Sequence, residues 1–122
     1  EAQQQRLFTE MNDAVKAFIK DLKANNRFDD VMLFTFSEFG RRVDENASMG
    51  TDHGTANNVY LIGGGLKQGG MINDMADLAN LQDGDLIHQV DFRSVYSTLL
   101  NKWLNVDAQK ILNGSYPMLD CL

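Results

Sequence analysis

Two short polar clusters hold the residues best suited to chemistry. In Thr35-Phe36-Ser37-Glu38-Phe39-Gly40-Arg41-Arg42 a carboxylate, a guanidinium and a glycine follow directly on the apolar run 31–36. A dozen residues later Gly50-Thr51-Asp52-His53-Gly54 supplies an Asp-His pair between glycines, just ahead of a second apolar run, 59–62. Carboxylate and imidazole are the donors that divalent metals such as zinc accept. Glu38, Asp52 and His53 are therefore the candidate metal ligands. Arg41 is the candidate for an anionic substrate group, because its planar fork suits phosphate or sulfate.

Each residue also has a plainer role open to it. Glu38 at a strand end is costly unless paired or coordinated, and Arg41 stands three positions on, close enough for a structural ion pair. His53 has small neighbours, Gly50, Gly54 and Ala56, that leave room beside its ring. It is either a neutral ligand whose second nitrogen is held by an acceptor, or a loop histidine bonded to backbone. Asp52 fits three roles: a direct ligand, an acceptor that orients a histidine, or a cap for a turn. His88, between Ile87 and Gln89, reads as a surface or edge histidine. Ser37 lacks the GxSxG elbow of a nucleophilic serine, and Cys121 has no base near it in sequence.

The elements around these clusters follow from periodicity. From Ala2 to about Ala24, Leu7, Met11, Val15, Phe18 and Leu22 recur at helical spacing, with Asn25-Asn26 as the stop. Residues 31–36 show no polar alternation, the pattern of a strand buried on both faces in a parallel sheet. Ligands bind beyond the carboxyl ends of such strands, which is where Ser37-Glu38-Phe39-Gly40-Arg41 begins. Residues 41–57 read as a long loop, and 59–62 as a second buried strand that runs into Gly63-Gly64-Gly65. Residues 73–90 are weakly patterned, with Asp83-Gly84 as a turn. Asp91 caps a helix whose apolar face is Phe92, Val95, Tyr96, Leu99, Leu100, Trp103 and Leu104, and Asn105 ends it. Asp107 opens a shorter helix closed by Asn113-Gly114. The expectation is one α/β domain over residues 1–122, with helices packed on a small, mostly parallel sheet.

Composition narrows the partners. A chain of 122 residues with 43% hydrophobic content can bury a core. Its net charge of −6 and scattered basic residues argue against nucleic acid, which needs a concentrated basic face. No apolar run approaches the ~20 residues that cross a bilayer. The chain opens on Glu1-Ala2-Gln3 without an initiator Met or a signal peptide, and so reads as a piece of a longer protein or a processed chain.

Several motifs in order resemble the domain of unknown function 1501 family. They are Phe34-Thr35-Phe36-Ser37-Glu38-Phe39-Gly40-Arg41, then Gly50-Thr51-Asp52-His53-Gly54, then Leu61-Ile62-Gly63-Gly64-Gly65-Leu66-Lys67 with Gly69-Gly70. The match runs on into Val90-Asp91-Phe92-Arg93-Ser94-Val95-Tyr96-Ser97-Thr98-Leu99-Leu100. That family's proteins are mostly exported and are similar to the alkaline phosphatase and sulfatase superfamily. The resemblance implies an alkaline-phosphatase-like fragment, the C-terminal portion of a sulfatase-like protein, with a divalent metal (zinc, manganese, calcium or magnesium). On the superfamily pattern Glu38 stands at an acidic ligand, His53 at a later histidine ligand, and Phe39 where a second ligand is expected. The nucleophile and the other ligands of that pattern lie upstream and are absent from this sequence.

The resulting expectation is the C-terminal part of a metallohydrolase for phosphate or sulfate esters, inert alone and located in the periplasm or otherwise exported. Its missing N-terminal part is the first partner expected, and homodimerisation is another way to cover exposed faces. The competing expectation is a non-catalytic exported module, or a partner-binding domain, that keeps the fold; Phe39 in a ligand position favours it.

Overall fold

A computed structural model describes residues 2–122. The chain divides into two compact units, one holding the sequence up to Leu33 together with Leu61–Gly65, the other Phe34–Tyr60 with Leu66–Leu122.

The first unit is built on α1, Ala2–Ala24. The helix stops where expected: Asn26 takes the left-handed conformation (φ 53°), and Arg27 N–H closes the end on the Leu22 carbonyl at 2.8 Å. Its apolar stripe is only partly covered. Val15, Ile19 and Leu22 are half-buried, whereas Leu7, Phe8, Met11 and Phe18 remain 44–64% exposed. No helix among the described residues is long and apolar enough to cross a membrane.

A 3-10 turn, Phe28–Asp30, leads into β1, Met32–Phe34, which pairs with β4, Leu61–Gly63. Gly64 N–H donates to the Phe28 carbonyl (3.2 Å) and Thr35 N–H to the Tyr60 carbonyl (3.0 Å). Rising numbers on one strand thus meet falling numbers on the other, so the pair is antiparallel. Gly63 permits the approach, since a Cβ there would lie 2.6 Å from the Val31 carbonyl oxygen.

The second unit contains two antiparallel hairpins. Strands β2 (Gly40–Glu45) and β3 (Thr51–Gly54) align Gly40 with Gly54 and Arg41 with His53, and a register shift follows before Glu45 meets Thr51. Asn46 closes the turn: its side-chain oxygen accepts from Ser48 N–H (3.0 Å) and Gly50 N–H (3.1 Å). Strands β5 (Leu81–Gln82) and β6 (Asp85–Leu86) are joined by Asp83-Gly84, both at positive φ as a tight hairpin turn requires. The hairpins meet through Arg42, which donates to the Asp83 carbonyl at 3.1 Å and pairs with Asp85 at 3.3 Å, and through Thr55, which donates to the Leu86 carbonyl at 2.7 Å.

Helix α2, Phe92–Thr98, starts under the Asp91 cap, widens into a π-helical stretch, Leu99–Trp103, and is followed by α3, Ala108–Leu112, under the Asp107 cap. The most buried side chains lie here: Ser94, Val95, Ser97 and Thr98 on α2, Ala108 on α3, and Cys121 in the tail. Thr98 donates to the Ser94 carbonyl (2.7 Å) and accepts from Leu119 N–H (2.8 Å), while Ser97 donates to the Tyr116 carbonyl (3.2 Å). Hydroxyl-bearing residues therefore bind the C-terminal tail across the helix. Phe92 and Leu104, expected on the buried face, are 62% and 58% exposed.

The mostly parallel sheet expected from the sequence is not what forms. The described residues make three separate two-stranded sheets with antiparallel pairing. The run 31–36 has the unbroken apolarity of a doubly covered strand, but its extended part is three half-buried residues paired along one edge, and Phe36 beyond it is 70% exposed. The expected loop 41–57 instead holds the β2–β3 hairpin, whose charged residues on both faces hide the alternation of a strand.

Candidate functional site

The turn between β1 and β2 carries Glu38. The strand end is pinned where Tyr60 N–H donates to the Thr35 hydroxyl at 2.9 Å. The Ser37 hydroxyl then donates to the Phe39 carbonyl at 2.7 Å, a short local loop that leaves Glu38 exposed at its tip. Gly40 follows and is buried. A Cβ at Gly40 would overlap the Ala56 carbonyl, so only glycine lets the two backbones touch here. That contact sets where β2 starts and so where Phe39 and Arg41 point.

Successive strand residues project to opposite faces. Arg41 stands opposite His53, and both share a face with Phe39. The Phe39 and His53 rings stack with centroids 3.7 Å apart and planes at 17°. The Arg41 guanidinium lies 5.2 Å from the Phe39 centroid and donates to the Thr51 carbonyl at 2.8 Å. Imidazole lone pairs lie in the ring plane, so stacking fixes the His53 ring without covering its edge nitrogens. Asp52, adjacent to His53 on the strand, projects to the other face and accepts from the Asn46 side chain at 2.8 Å. It belongs to the hairpin turn.

The candidate residues are thus only partly assembled. Phe39, Arg41 and His53 form one cluster, Glu38 sits in the adjoining turn, and Asp52 is directed away. Among the described residues no group of three or more His, Cys, Asp and Glu side chains is arranged to hold a metal ion. The donors on the described residues do not amount to a complete metal site. The Glu38–Arg41 ion pair that the spacing allows is not formed among the described residues. His88 is exposed, as expected of an edge histidine. Cys121 is buried, and burial pushes its thiol pKa up, which disfavours the reactive thiolate.

Beside Glu38 lies a cavity of about 370 Å³, whose lining includes the rings of Phe34, Phe36, Phe39, Phe92 and Tyr96. Sequence reasoning missed this feature by assigning these rings to core. The signal was present in their spacing: Phe34 and Phe36 are two apart in an extended run, and Phe92 and Tyr96 four apart on a helix, so each pair shares a face. Phe39, read as a lost ligand, is the ring on which the His53 cluster is built.

The chain belongs to the family described as Protein of unknown function (DUF1501), whose signature matches residues 1–114. No curated protein and no solved structure matches it.

Proposed function

We propose that this chain is the part of a sulfatase- or phosphatase-like ester hydrolase that meets the anionic group of the substrate, and that it is inert by itself. The observation that carries this reading is the shared face of Phe39, Arg41 and His53, with Glu38 in the turn that enters the same strand. Arg41 keeps N–H groups beyond the one bonded to Thr51 for a tetrahedral oxyanion. Glu38 and His53 are the two donors this chain offers a divalent metal. A mixed carboxylate and imidazole pair suits zinc or manganese better than calcium or magnesium, which prefer all-oxygen shells. Such a metal stabilises charge that develops on the ester oxygens. The remaining donors and the nucleophile come, in this reading, from the N-terminal part of a longer parent protein that is exported, as the family resemblance implies. Asp52 acts indirectly by fixing the 46–50 turn that carries β3 back past Arg41.

Zinc titration of the chain by calorimetry, with 4-nitrophenyl phosphate and sulfate as turnover substrates, tests the proposal. Neither ester is expected to turn over. Weak zinc binding is expected to fall about tenfold in a Glu38→Gln, His53→Ala variant, at the low end of what loss of metal-site groups costs. Unchanged zinc affinity in that variant would remove both residues from any metal site.

A second reading, a non-catalytic partner-binding module, is favoured by one observation: the stripe of Leu7, Phe8, Met11 and Phe18 on α1 stays exposed. Contiguous apolar surface of this kind marks interaction sites. A second copy of the chain is the simplest occupant, and sedimentation of the chain over a concentration series tests it.

A further inference from the structure

The cavity beside Glu38 has a chemical character of its own. Five of its eleven lining residues are aromatic, and Glu38 is the one charged side chain among the eleven. Its volume of about 370 Å³ falls within the range of small-molecule sites, roughly 300–1,000 Å³. Phe34 meets Tyr96 edge-to-face at 5.5 Å and 82°, and Phe92 meets Tyr96 likewise at 5.6 Å and 83°. Such rings hold one another in place and form a fixed apolar wall.

Ring faces carry negative potential, and a carboxylate adds a full negative charge. Both favour a cation and oppose an anion. The nearby guanidinium groups follow the same rule outside the cavity lining: Arg41 stands 5.2 Å from the Phe39 centroid and Arg93 5.8 Å from that of Phe92. We propose that this cavity binds a planar apolar cation, an arylammonium or a protonated heteroaromatic group, with its ring among Phe34, Phe36, Phe92 and Tyr96 and its charge against Glu38. The assignment uses neither His53 nor Arg41 and shares only Glu38 with the hydrolase reading. A metal and an organic cation would compete for Glu38.

The test is titration of the whole chain with three probes of matched shape, 2-naphthylmethylammonium, 2-naphthylmethanol and 2-naphthoate, followed by NMR line shifts of the cavity residues. The ammonium is expected to bind about fivefold tighter than the alcohol, from one partly exposed ion pair with cation–π support, and the carboxylate is expected to bind weakest. Glu38→Gln should remove about half of the ammonium's advantage on a logarithmic scale, the ion-pair share, keep the cation–π share, and leave the alcohol unchanged. Phe36→Ala should weaken all three; its ring is 70% exposed, so the fold does not depend on it. Equal affinity for the three probes, an undiminished ammonium advantage in Glu38→Gln, or no binding at all would each overturn the proposal. None of these results bears on zinc binding at His53, so the two readings fail separately.

Discussion

Replacing Gly40 by alanine adds one methyl group at the entrance to the site. A Cβ there would fall on the Ala56 backbone, with the carbonyl oxygen, carbonyl carbon and nitrogen all inside van der Waals distance. No side chain can rotate aside to relieve it; either β2 or the 55–57 segment must move. Gly50 at the other end of the same hairpin is the control. A Cβ there meets only the Asn46 side-chain oxygen at 3.7 Å, an ordinary contact, and Gly50 is not among the positive-φ glycines. Both substitutions remove similar freedom from the unfolded chain, worth about 0.4–1 kcal/mol in favour of folding when the native backbone tolerates it. Gly50→Ala should therefore be neutral or slightly stabilising. Gly40→Ala should lose about 3 kcal/mol, the upper part of the overpacking range, because the obstacle is backbone. Urea denaturation followed by circular dichroism measures both, and Trp103 fluorescence reports separately on the helical part. A difference between the two variants below ~0.5 kcal/mol, within ordinary surface-substitution scatter, would refute the claim that Gly40 exists for backbone approach. Since Gly40 also aims Phe39, any Gly40→Ala chain that stays folded should show the His53 ring resonances shifted by loss of stacking.

Thr98→Val keeps the side-chain shape but strips the hydroxyl that bonds the Ser94 carbonyl and Leu119 N–H; the expected loss is about 1–3 kcal/mol, with faster hydrogen exchange at the Leu119 amide. Side-chain hydrogen bonds from Arg93, then its backbone N–H, push the Asp91 carboxyl down to about 2. A depressed folded-state pKa contributes stability that is present above the ordinary carboxylate value, about 4, and lost as pH falls toward 2. Melting temperature against pH should show that acid limb, and Asp91→Asn, which still offers a capping oxygen, should show a shallower one, because Asp107 beside Lys110 and Asp120 beside Lys67 are also held low. Phe8→Glu puts a charge into the exposed α1 stripe and should abolish any self-association seen by sedimentation without lowering the melting temperature, because Phe8 is 64% exposed; persistence of the dimer would place the contact elsewhere.

How far the site could be read from sequence depends on which physical signal each part leaves. Asp91, Asp107, Asn26 and Asn113 mark helix ends by local side-chain and backbone preferences, and all four act at those ends in the structure. Such signals need no partner. The face of a strand needs one. Arg41 and His53 meet only because β2 and β3 pair in a particular register, and the shift before Glu45 shows that this register is not uniform. A slip of one residue would exchange His53 for Asp52 on the Phe39 face, so the adjacent Asp-His pair could not reveal which of the two joins Arg41. The parallel sheet failed for a related reason. An apolar run records that covering is wanted, not what supplies it: Phe34 is half-covered by the rings of Phe36 and Tyr96, and Phe36 itself stays exposed.

The α2 face failed in the opposite sense. Ser97 and Thr98 are buried because their hydroxyls bond backbone, the tail carbonyl of Tyr116 and amide of Leu119 included, so burying them costs little. Hydrophobic periodicity is blind to burial of that kind. Phe39 draws these limits together. Judged by residue type it is a gap in a ligand set; in the folded hairpin it orients the imidazole it touches, carries the guanidinium beside it and closes one side of an aromatic cavity. A ring at that position makes one wall common to the proposed anion-binding face and the proposed cation cavity. Phe39→Ala should therefore disturb both at once, whereas Phe39→His, which keeps an aromatic face and adds a donor, should preserve the stack and raise zinc affinity. If Phe39→His leaves zinc binding unchanged, Glu38 and His53 do not converge on a common ion.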